Sequence, residues 1–225
     1  MNTTTLYEQY RPRTWDDLIG QPKVRKIVDC LRKRGLAGRA YFISGPTGTG
    51  KTSAAYLIAR EVADDLAIEE IDGTQVTAGW LEDLERRWHL IPLGAGDKIG
   101  RAFVINEAHG LSAYAVKRLL VLLEGATLPR HCTVIFTTTF DGLALFEDQR
   151  LDASPLLHRC TELRLTSQGL SRPFAERAKA IAEAEGLDGQ PIEKYMRLAQ
   201  DCKNSMRAML DKVEEGAMAG EVVPT

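Results

Sequence analysis

Short apolar runs alternate with longer amphipathic segments along the first two thirds of the chain. Three runs are mainly apolar and have the character of buried strands, at residues 40–43, 102–105 and 133–136, and residues 68–73 are a further predicted strand. Before and between these strands lie segments that are alanine-rich or have apolar residues at helical spacing, at residues 23–34, 53–63, 80–90 and 112–124. Strands that alternate with helices form a parallel sheet with helices on both faces. The pattern therefore predicts an α/β fold.

The pattern changes after residue 165. Residues 160–165 form one last short predicted strand, and the chain then continues as two helical stretches, at residues 170–185 and 192–215. Residues 1–22 and 140–155 lack any regular period and are predicted to be irregular. The sequence therefore predicts two domains, an α/β domain over residues 1–165 and a small all-helical domain over residues 166–225.

A glycine-rich stretch separates the first predicted strand from the helix that follows it. It reads GPTGTGKTS and fits the pattern G-x-x-x-x-G-K-[ST]. Its glycines let several backbone N–H groups point into one concavity, and the helix adds its positive end, so a polyphosphate fits there. The Lys51 ammonium would reach the β- and γ-phosphates, and the Thr52 hydroxyl would hold Mg²⁺. The residues assigned to this loop are Gly45, Pro46, Thr47, Gly48, Thr49, Gly50, Lys51, Thr52 and Ser53.

Polar residues follow two other predicted strands, at the edge where parallel sheets bind ligands. Glu107 has the chemistry of a general base for an attacking water. Asn106 either supports the metal, less strongly than an aspartate would, or caps the following turn. Residues 137–139 are three threonines. Either one of them contacts the γ-phosphate, and we choose Thr138 for this role, or all three are ordinary strand residues.

Three further polar residues have more than one interpretation. His109 is predicted to be a structural turn residue rather than a ligand. Arg159 is either an ordinary surface residue or an arginine finger presented to a neighbouring subunit. Arg207 lies near the start of the last predicted helix. By itself it would be a solvated helix residue, and any functional role depends on the fold.

Charge and composition exclude some classes of protein. The chain has 29 Lys and Arg against 31 Asp and Glu, so its net charge of −2 does not indicate a nucleic-acid binder as a whole. The basic face of residues 23–34 is either solvated or contacts phosphates. The N-terminus is polar and no apolar run approaches a membrane span, so we expect a cytoplasmic protein. The widely spaced cysteines, four in number, predict reduced thiols.

Taken together, these motifs resemble the ATPase subunits of DNA polymerase clamp loaders within the AAA+ superfamily. The likeness is greatest to the bacterial gamma/tau type, with some likeness to replication factor C small subunits. Residues 10–21 are similar to the arm that wraps the adenine, which assigns nucleotide contacts to Tyr10, Arg11, Pro12 and Ile19. The resemblance implies a P-loop AAA+ sheet domain followed by a helical lid domain.

The same resemblance assigns roles to the remaining motifs. Residues 106–109 resemble Walker B, which adds Asn106 to Thr52 of the glycine-rich loop as a metal ligand and gives the catalytic base Glu107. Residues 137–138 match sensor 1, and Arg207 matches sensor 2. Residues 158–160 resemble the Ser-Arg-Cys motif, in which Arg159 would act on a neighbouring subunit's nucleotide.

The sequence departs from the family at several positions. Asn106 stands where the family has Asp, and His158 stands where it has Ser. The zinc-binding cysteines of the gamma/tau type are missing between residues 60 and 71, and Gly125-Ala126 replaces the usual Glu-Pro. The residues of the collar, the family's third domain, are not in this sequence, so either the sequence is truncated or the protein assembles differently, with subunit contacts expected to rest on the ATPase modules.

The resemblance implies an ATPase that binds ATP and Mg²⁺ between subunits of a homo- or hetero-oligomeric open ring or spiral. Such an assembly would grip primed or double-stranded DNA and open a sliding clamp, with no membrane involved. Two alternatives stay open. The chain is a nucleotide-binding scaffold with little turnover, which Asn106 favours, or it is an AAA+ regulator of another DNA machine, such as a helicase or recombination complex.

Overall fold

The computed structural model describes residues 4–90, 98–124, 128–139 and 154–220. The chain divides into two compact units. The sheet unit comprises residues 22–45 and 51–165, and the helical unit comprises residues 1–21, 46–50 and 166–225. The helical unit thus includes two segments from the first fifty residues, and the predicted division into domains at residue 165 stays a prediction. The Gly125-Ala126 pair and most of the predicted irregular stretch at 140–155 lie outside the described residues.

The sheet unit contains a parallel sheet in which every described strand pair runs in the same direction. The strands are β1 (Arg39–Ser44), β2 (Ile68–Asp72), β3 (Arg101–Asn106), β4 (Cys132–Thr138) and β5 (Cys160–Arg164). Their order across the sheet is β2-β3-β4-β1-β5. The three central strands are almost completely buried, which explains why they are continuous apolar runs rather than alternating ones. The predicted α/β fold is confirmed.

The helices take their places between and after these strands. They are α1 (Leu6–Gln9), α2 (Pro22–Arg32), α3 (Lys51–Val62), α4 (Ala78–Trp88), α5 (Ala113–Leu122), α6 (Ser154–His158), α7 (Ser171–Glu185), α8 (Ile192–Asp201) and α9 (Met206–Glu214). In the sheet unit, Trp88 of α4 and Leu119 of α5 pack with Phe103 and Phe136 in one apolar core. Within the described residues, each helix is too short or too polar to cross a bilayer.

The helical unit has its own apolar core. Phe174 and Ile181 of α7 pack there with Tyr195 of α8 and Met209 of α9. Leu6 of α1 completes the core, although residues 1–22 were expected to be irregular. An apolar side chain near the N-terminus thus anchors that segment on the C-terminal helices.

The helical stretch predicted over residues 192–215 comprises two helices, α8 and α9, and Arg207 lies near the start of the last one, as predicted. Lys203 and Asn204 adopt left-handed backbone conformations, with φ of 52° and 56°, and these end α8. The Asn204 side chain donates to the backbone oxygen of Ser167, which stabilises this break. Ser205 then caps α9 by accepting from the Ala208 N–H.

Candidate functional site

The carboxyl ends of four neighbouring strands form one edge of the sheet unit. Ser44 at the end of β1 pairs with Thr138 at the end of β4, and Asp72 at the end of β2 pairs with Asn106 at the end of β3. The glycine-rich stretch leaves β1 at this edge. The strand ends therefore lie along one edge of the sheet, and their convergence on one nucleotide stays a prediction.

Three loop residues belong to the sheet unit and have the geometry that a phosphate site requires. Gly45 has φ of 147°, and a Cβ there would lie 2.6 Å from the Leu165 carbonyl oxygen, so only glycine fits. Lys51 opens α3 with 7% of its surface exposed, and the half-buried Thr52 follows. The first N–H groups of α3 have no helical partner and favour an anion.

The tip of the loop belongs to the helical unit. Gly48 has φ of 77°, and a Cβ there would lie 2.0 Å from Ser205 Oγ. The Met206 N–H donates to the Gly48 carbonyl oxygen over 3.2 Å. Within the tip, the Thr49 hydroxyl donates to the Pro46 carbonyl oxygen over 2.7 Å. The first residue of α9 therefore touches the backbone of the loop.

Asn106 uses both ends of its amide to connect three strands. Its Oδ1 accepts from the Thr137 hydroxyl over 2.7 Å, and its Nδ2 donates to the Glu70 carboxylate. Glu70 also accepts from the Tyr56 hydroxyl of α3. The turn after β3 begins at Glu107 without a side-chain cap, so Asn106 does not act as its capping residue.

Glu107 lies directly after β3 in a left-handed conformation, with φ of 49° and ψ of 52°. For a residue with a Cβ this conformation is uncommon and is often found at functional sites. Its Oε2 lies 3.3 Å from His109 Nδ1, which in turn lies 3.3 Å from the Thr138 hydroxyl. His109 is in the short turn Ala108–Gly110, and its ring also links the end of β3 to the buried end of β4.

Arg159 is held by its own chain. Its Nη2 donates to Glu124 over 2.8 Å, and its Nη1 donates to the Pro155 carbonyl oxygen over 2.9 Å. Its side chain is 29% exposed. A role in another subunit would require the guanidinium to leave these partners.

The arm residues and Arg207 lie in the helical unit. Arg207 Nη2 donates to the Tyr7 hydroxyl over 2.7 Å, and the guanidinium lies 4.3 Å from the centroid of the Tyr7 ring. The Tyr10 hydroxyl donates to Glu185 over 2.6 Å, and this hydrogen bond raises the pKa of Tyr10. Arg11 and Pro12 are half-buried, and Ile19 packs on the helical core.

The basic face of α2 is partly neutralised. Arg32 donates to Glu61 through two nitrogens at 2.6 Å and also to Asp29. The remaining basic residues of this segment are exposed, and they are Lys23, Arg25, Lys26, Lys33 and Arg34. Phosphate contact by this face stays a prediction.

The cysteines are reduced thiols, as predicted. Burial raises the pKa of the Cys132 thiol and that of Cys160 to about 12, so neither is a reactive thiolate. Cys30 is exposed and therefore does not pack in a core.

The donor set fits a metal that is bound together with phosphates. Thr52 offers a hydroxyl and Asn106 offers an amide oxygen, and hard oxygen donors suit Mg²⁺. In the described part of the chain, no three His, Cys, Asp or Glu side chains form a group that could hold a metal on their own. A metal at this edge would therefore depend on the ligand's phosphates, which is how Mg²⁺ is usually bound.

Two residues of this cluster were missed as site residues by the sequence argument, namely Glu70 and the linking His109. Strand alternation contains a signal for Glu70. It lies two residues before Asp72, which pairs with Asn106, so both acidic side chains share a face of the sheet with Asn106. Recognising that signal requires the register of β2 against β3.

Comparison with known proteins shows related sequences in DNA replication and recombination. The family described as TIP49 P-loop domain matches residues 4–86. The DNA polymerase III subunit tau of Bacillus subtilis is 28% identical over 213 residues, covering 83% of this chain and 35% of that protein. The replication factor C large subunit of Methanosarcina acetivorans is 26% identical over 98% of this chain and 35% of its own length.

A second group of similar proteins consists of RuvB proteins. The Holliday junction branch migration complex subunit RuvB of Corynebacterium jeikeium is 33% identical over 51% of this chain and 30% of that protein. The solved Thermotoga maritima RuvB branch migration motor superposes with a TM-score of 0.69 at 22% identity, covering 91% of this chain and 64% of its own. The chain spans about a third of the length of these curated relatives.

Proposed function

This chain is an AAA+ P-loop protein related to clamp-loader subunits, and from that premise we propose that it binds ATP with Mg²⁺ and hydrolyses it. One observation carries the proposal. The half-exposed carboxylate of Glu107 and the buried Lys51 at the start of α3 both lie at the ligand-binding edge of the parallel sheet. A base for water and a cation for phosphate are the two groups that ATP hydrolysis needs.

Each residue at this edge has a separate task. The Lys51 ammonium and the N–H groups of the loop neutralise the phosphates. Bound Mg²⁺, held by Thr52 and Asn106, would add positive charge at the phosphate oxygens. The Glu107 carboxylate takes a proton from the attacking water, and the Thr138 hydroxyl contacts the γ-phosphate.

The assembly is proposed from the relatives rather than from this chain alone. Clamp-loader relatives favour an oligomer in an open ring or spiral, in which Arg159 leaves Glu124 and reaches a neighbouring subunit's ATP. In this proposal the oligomer acts in the cytoplasm on primed or double-stranded DNA and a sliding clamp. Tyr10, Arg11, Pro12 and Ile19 contact the adenine, and Arg207 contacts a phosphate.

Asn106 favours a second candidate function, a nucleotide-binding scaffold with little turnover. An amide lowers the negative charge beside the metal, and in this site the amide is also engaged by Thr137 and Glu70. The RuvB relatives keep the third candidate open, which is an AAA+ regulator of another DNA machine. Binding of a sliding clamp separates the third candidate from the first.

The decisive experiment measures ATP binding and steady-state phosphate release, with and without primed DNA. Glu107→Gln is the variant that keeps the shape of the base and removes its proton affinity. Glu82→Gln is its matched control, because Glu82 is an exposed carboxylate on α4. We expect DNA-stimulated turnover that Glu107→Gln abolishes and Glu82→Gln leaves intact. ATP binding without turnover above the Glu107→Gln level supports the scaffold, and no ATP binding contradicts both.

A further inference from the structure

Glu70 lies at the place where the metal site lacks charge. Its carboxylate accepts from the Asn106 amide, and Asn106 occupies the position where the resemblance implies a metal-supporting carboxylate. The exposed Glu70 side chain is therefore in direct contact with the residue whose charge is missing.

Strand geometry places Glu70 on the appropriate face of the sheet. Its hydrogen bond with Tyr56 shows that it faces α3, the helix that begins with Lys51 and Thr52. The preceding residue, Glu69, points to the opposite face, where Arg87 of α4 donates to it. Of these two consecutive acidic residues, only Glu70 shares a face with the metal-binding end of α3.

The hydrogen bonds at Asn106 explain why an amide fits this position. Asn106 donates to Glu70 and accepts from Thr137, and of an amide and an ionised carboxylate at this position only the amide does both. An ionised aspartate at 106 could not donate, and two carboxylates in contact would repel each other. The pair thus holds one negative charge, on β2 rather than on β3.

We propose that Glu70 supplies the negative charge of the Mg²⁺ site that Asn106 does not carry. Glu70 acts as a positioning residue, orienting the Asn106 amide so that its oxygen faces away from the carboxylate, and adding charge beside the metal. The inference rests on the proposed ATP-binding function. A glutamine keeps one acceptor oxygen for the Asn106 amide, and its NH₂ group can donate to the Tyr56 hydroxyl, so a purely structural Glu70 would tolerate the substitution.

The test measures binding of a fluorescent ATP analogue over a series of Mg²⁺ concentrations, without hydrolysis. For Glu70→Gln, we expect the half-saturating Mg²⁺ concentration to rise roughly tenfold, as for other residues that support metal ligands. Binding of the analogue without Mg²⁺ should be unchanged or tighter, because one negative charge near the phosphates is lost. Glu82→Gln should leave both quantities unchanged.

Moving the charge back to β3 gives the sharpest control. In the double variant Glu70→Gln/Asn106→Asp, the new amide on β2 can donate to the new carboxylate on β3. We therefore expect the Mg²⁺ dependence to return to that of the parent protein. Asn106→Asp alone brings two carboxylates into contact, so its Mg²⁺ dependence should differ from that of the parent protein. Circular dichroism and melting temperature confirm that each variant is folded.

The possible outcomes separate the role of Glu70 from the proposed ATP-binding function. If the parent protein shows Mg²⁺-dependent binding and Glu70→Gln shifts its midpoint by less than about twofold, the role of Glu70 is refuted and the ATP site stands. If Glu70→Gln raises the half-saturating Mg²⁺ concentration and the double variant does not restore it, the idea that the charge can be moved from β2 to β3 is also refuted. If the parent binds no nucleotide at any Mg²⁺ concentration, both the proposed function and this inference are wrong.

Discussion

The polar clusters of the two units are built in different ways. In the sheet unit, Glu70, Asn106 and Thr137 lie on three adjacent strands, so backbone hydrogen bonds fix the separation of their side chains. In the helical unit, Arg207 meets Tyr7 across 200 residues of sequence, and their contact is exposed.

The two clusters differ in how far their contacts are pre-organised. Groups on neighbouring strands are held in place by the sheet, which suits a site that must bind a metal in a defined geometry. The Arg207–Tyr7 contact depends on two long side chains at the surface, where water and salt screen the attraction. The Arg207–Tyr7 contact is therefore easier to break than the hydrogen bond from the buried Thr137 to Asn106, whereas Glu70 of the sheet cluster is itself exposed.

The largest effect is expected at the strand end itself. Glu107→Gln should lower ATP turnover on the order of 10²–10⁴-fold, because it removes a general base. ATP affinity should be retained, since the substitution leaves the loop and Lys51 unchanged. Phosphate release and equilibrium binding measure the two quantities separately. Turnover at the parent rate would show that the base lies elsewhere.

The next effect tests whether the sheet cluster is rigid. Thr137→Val removes the donor to Asn106 in a residue that is 1% exposed, and we expect the free energy of unfolding to fall by about 1 kcal/mol. Urea denaturation measures this change. Thr161→Val on β5 is the control, because Thr161 lies on the edge strand farthest from Asn106 in the sheet order. Equal effects of the two substitutions would argue against a specific role for the Asn106 contact.

A smaller effect is expected in the helical unit. Tyr7→Phe removes the hydroxyl that accepts from Arg207 and keeps the ring, which packs on the helical core and lies against the guanidinium. We expect the free energy of unfolding to fall by less than about 0.5 kcal/mol, because this hydrogen bond is exposed. Tyr114→Phe, at an exposed tyrosine, serves as the control in the same urea titration. A loss for Tyr7→Phe as large as that for Thr137→Val would remove the distinction between the clusters.

The smallest effect concerns acid stability in the helical unit. The Lys179 ammonium, followed by the Tyr195 hydroxyl, lowers the pKa of Asp188. A carboxylate with a depressed folded-state pKa contributes stability above its unfolded pKa of about 3.9 and loses it as the pH falls through the folded pKa. Asp188→Asn should therefore flatten the decrease in melting temperature below about pH 4. An unchanged acid profile would mean that this ion pair does not contribute.

The sequence predicts the elements that are determined locally and fails where distant residues decide. Apolar runs locate β1, β3 and β4, because these strands are buried on both faces. The contact that stabilises the break between α8 and α9 is not predicted, since Asn204 is held there by the backbone of Ser167, which is 37 residues away.

The site shows the same limit. The glycine-rich motif places Lys51 and Thr52 correctly at the start of a helix after β1, because the motif itself encodes that turn. The partnership of Glu70 with Asn106 requires the register of two strands, and that of Tyr7 with Arg207 requires the fold of the helical unit. Neither is written in any local pattern.

The hydrogen bond from the Met206 N–H to the Gly48 carbonyl oxygen connects the tip of the loop to the first residue of α9. Amide hydrogens exchange with solvent only when such a bond opens, so the exchange rate at Met206 reports the conformation of the loop. A phosphate that draws the loop backbone toward itself would alter that rate one residue before Arg207. Exchange at Met206 would therefore report an occupied loop without any contact from a side chain of α9.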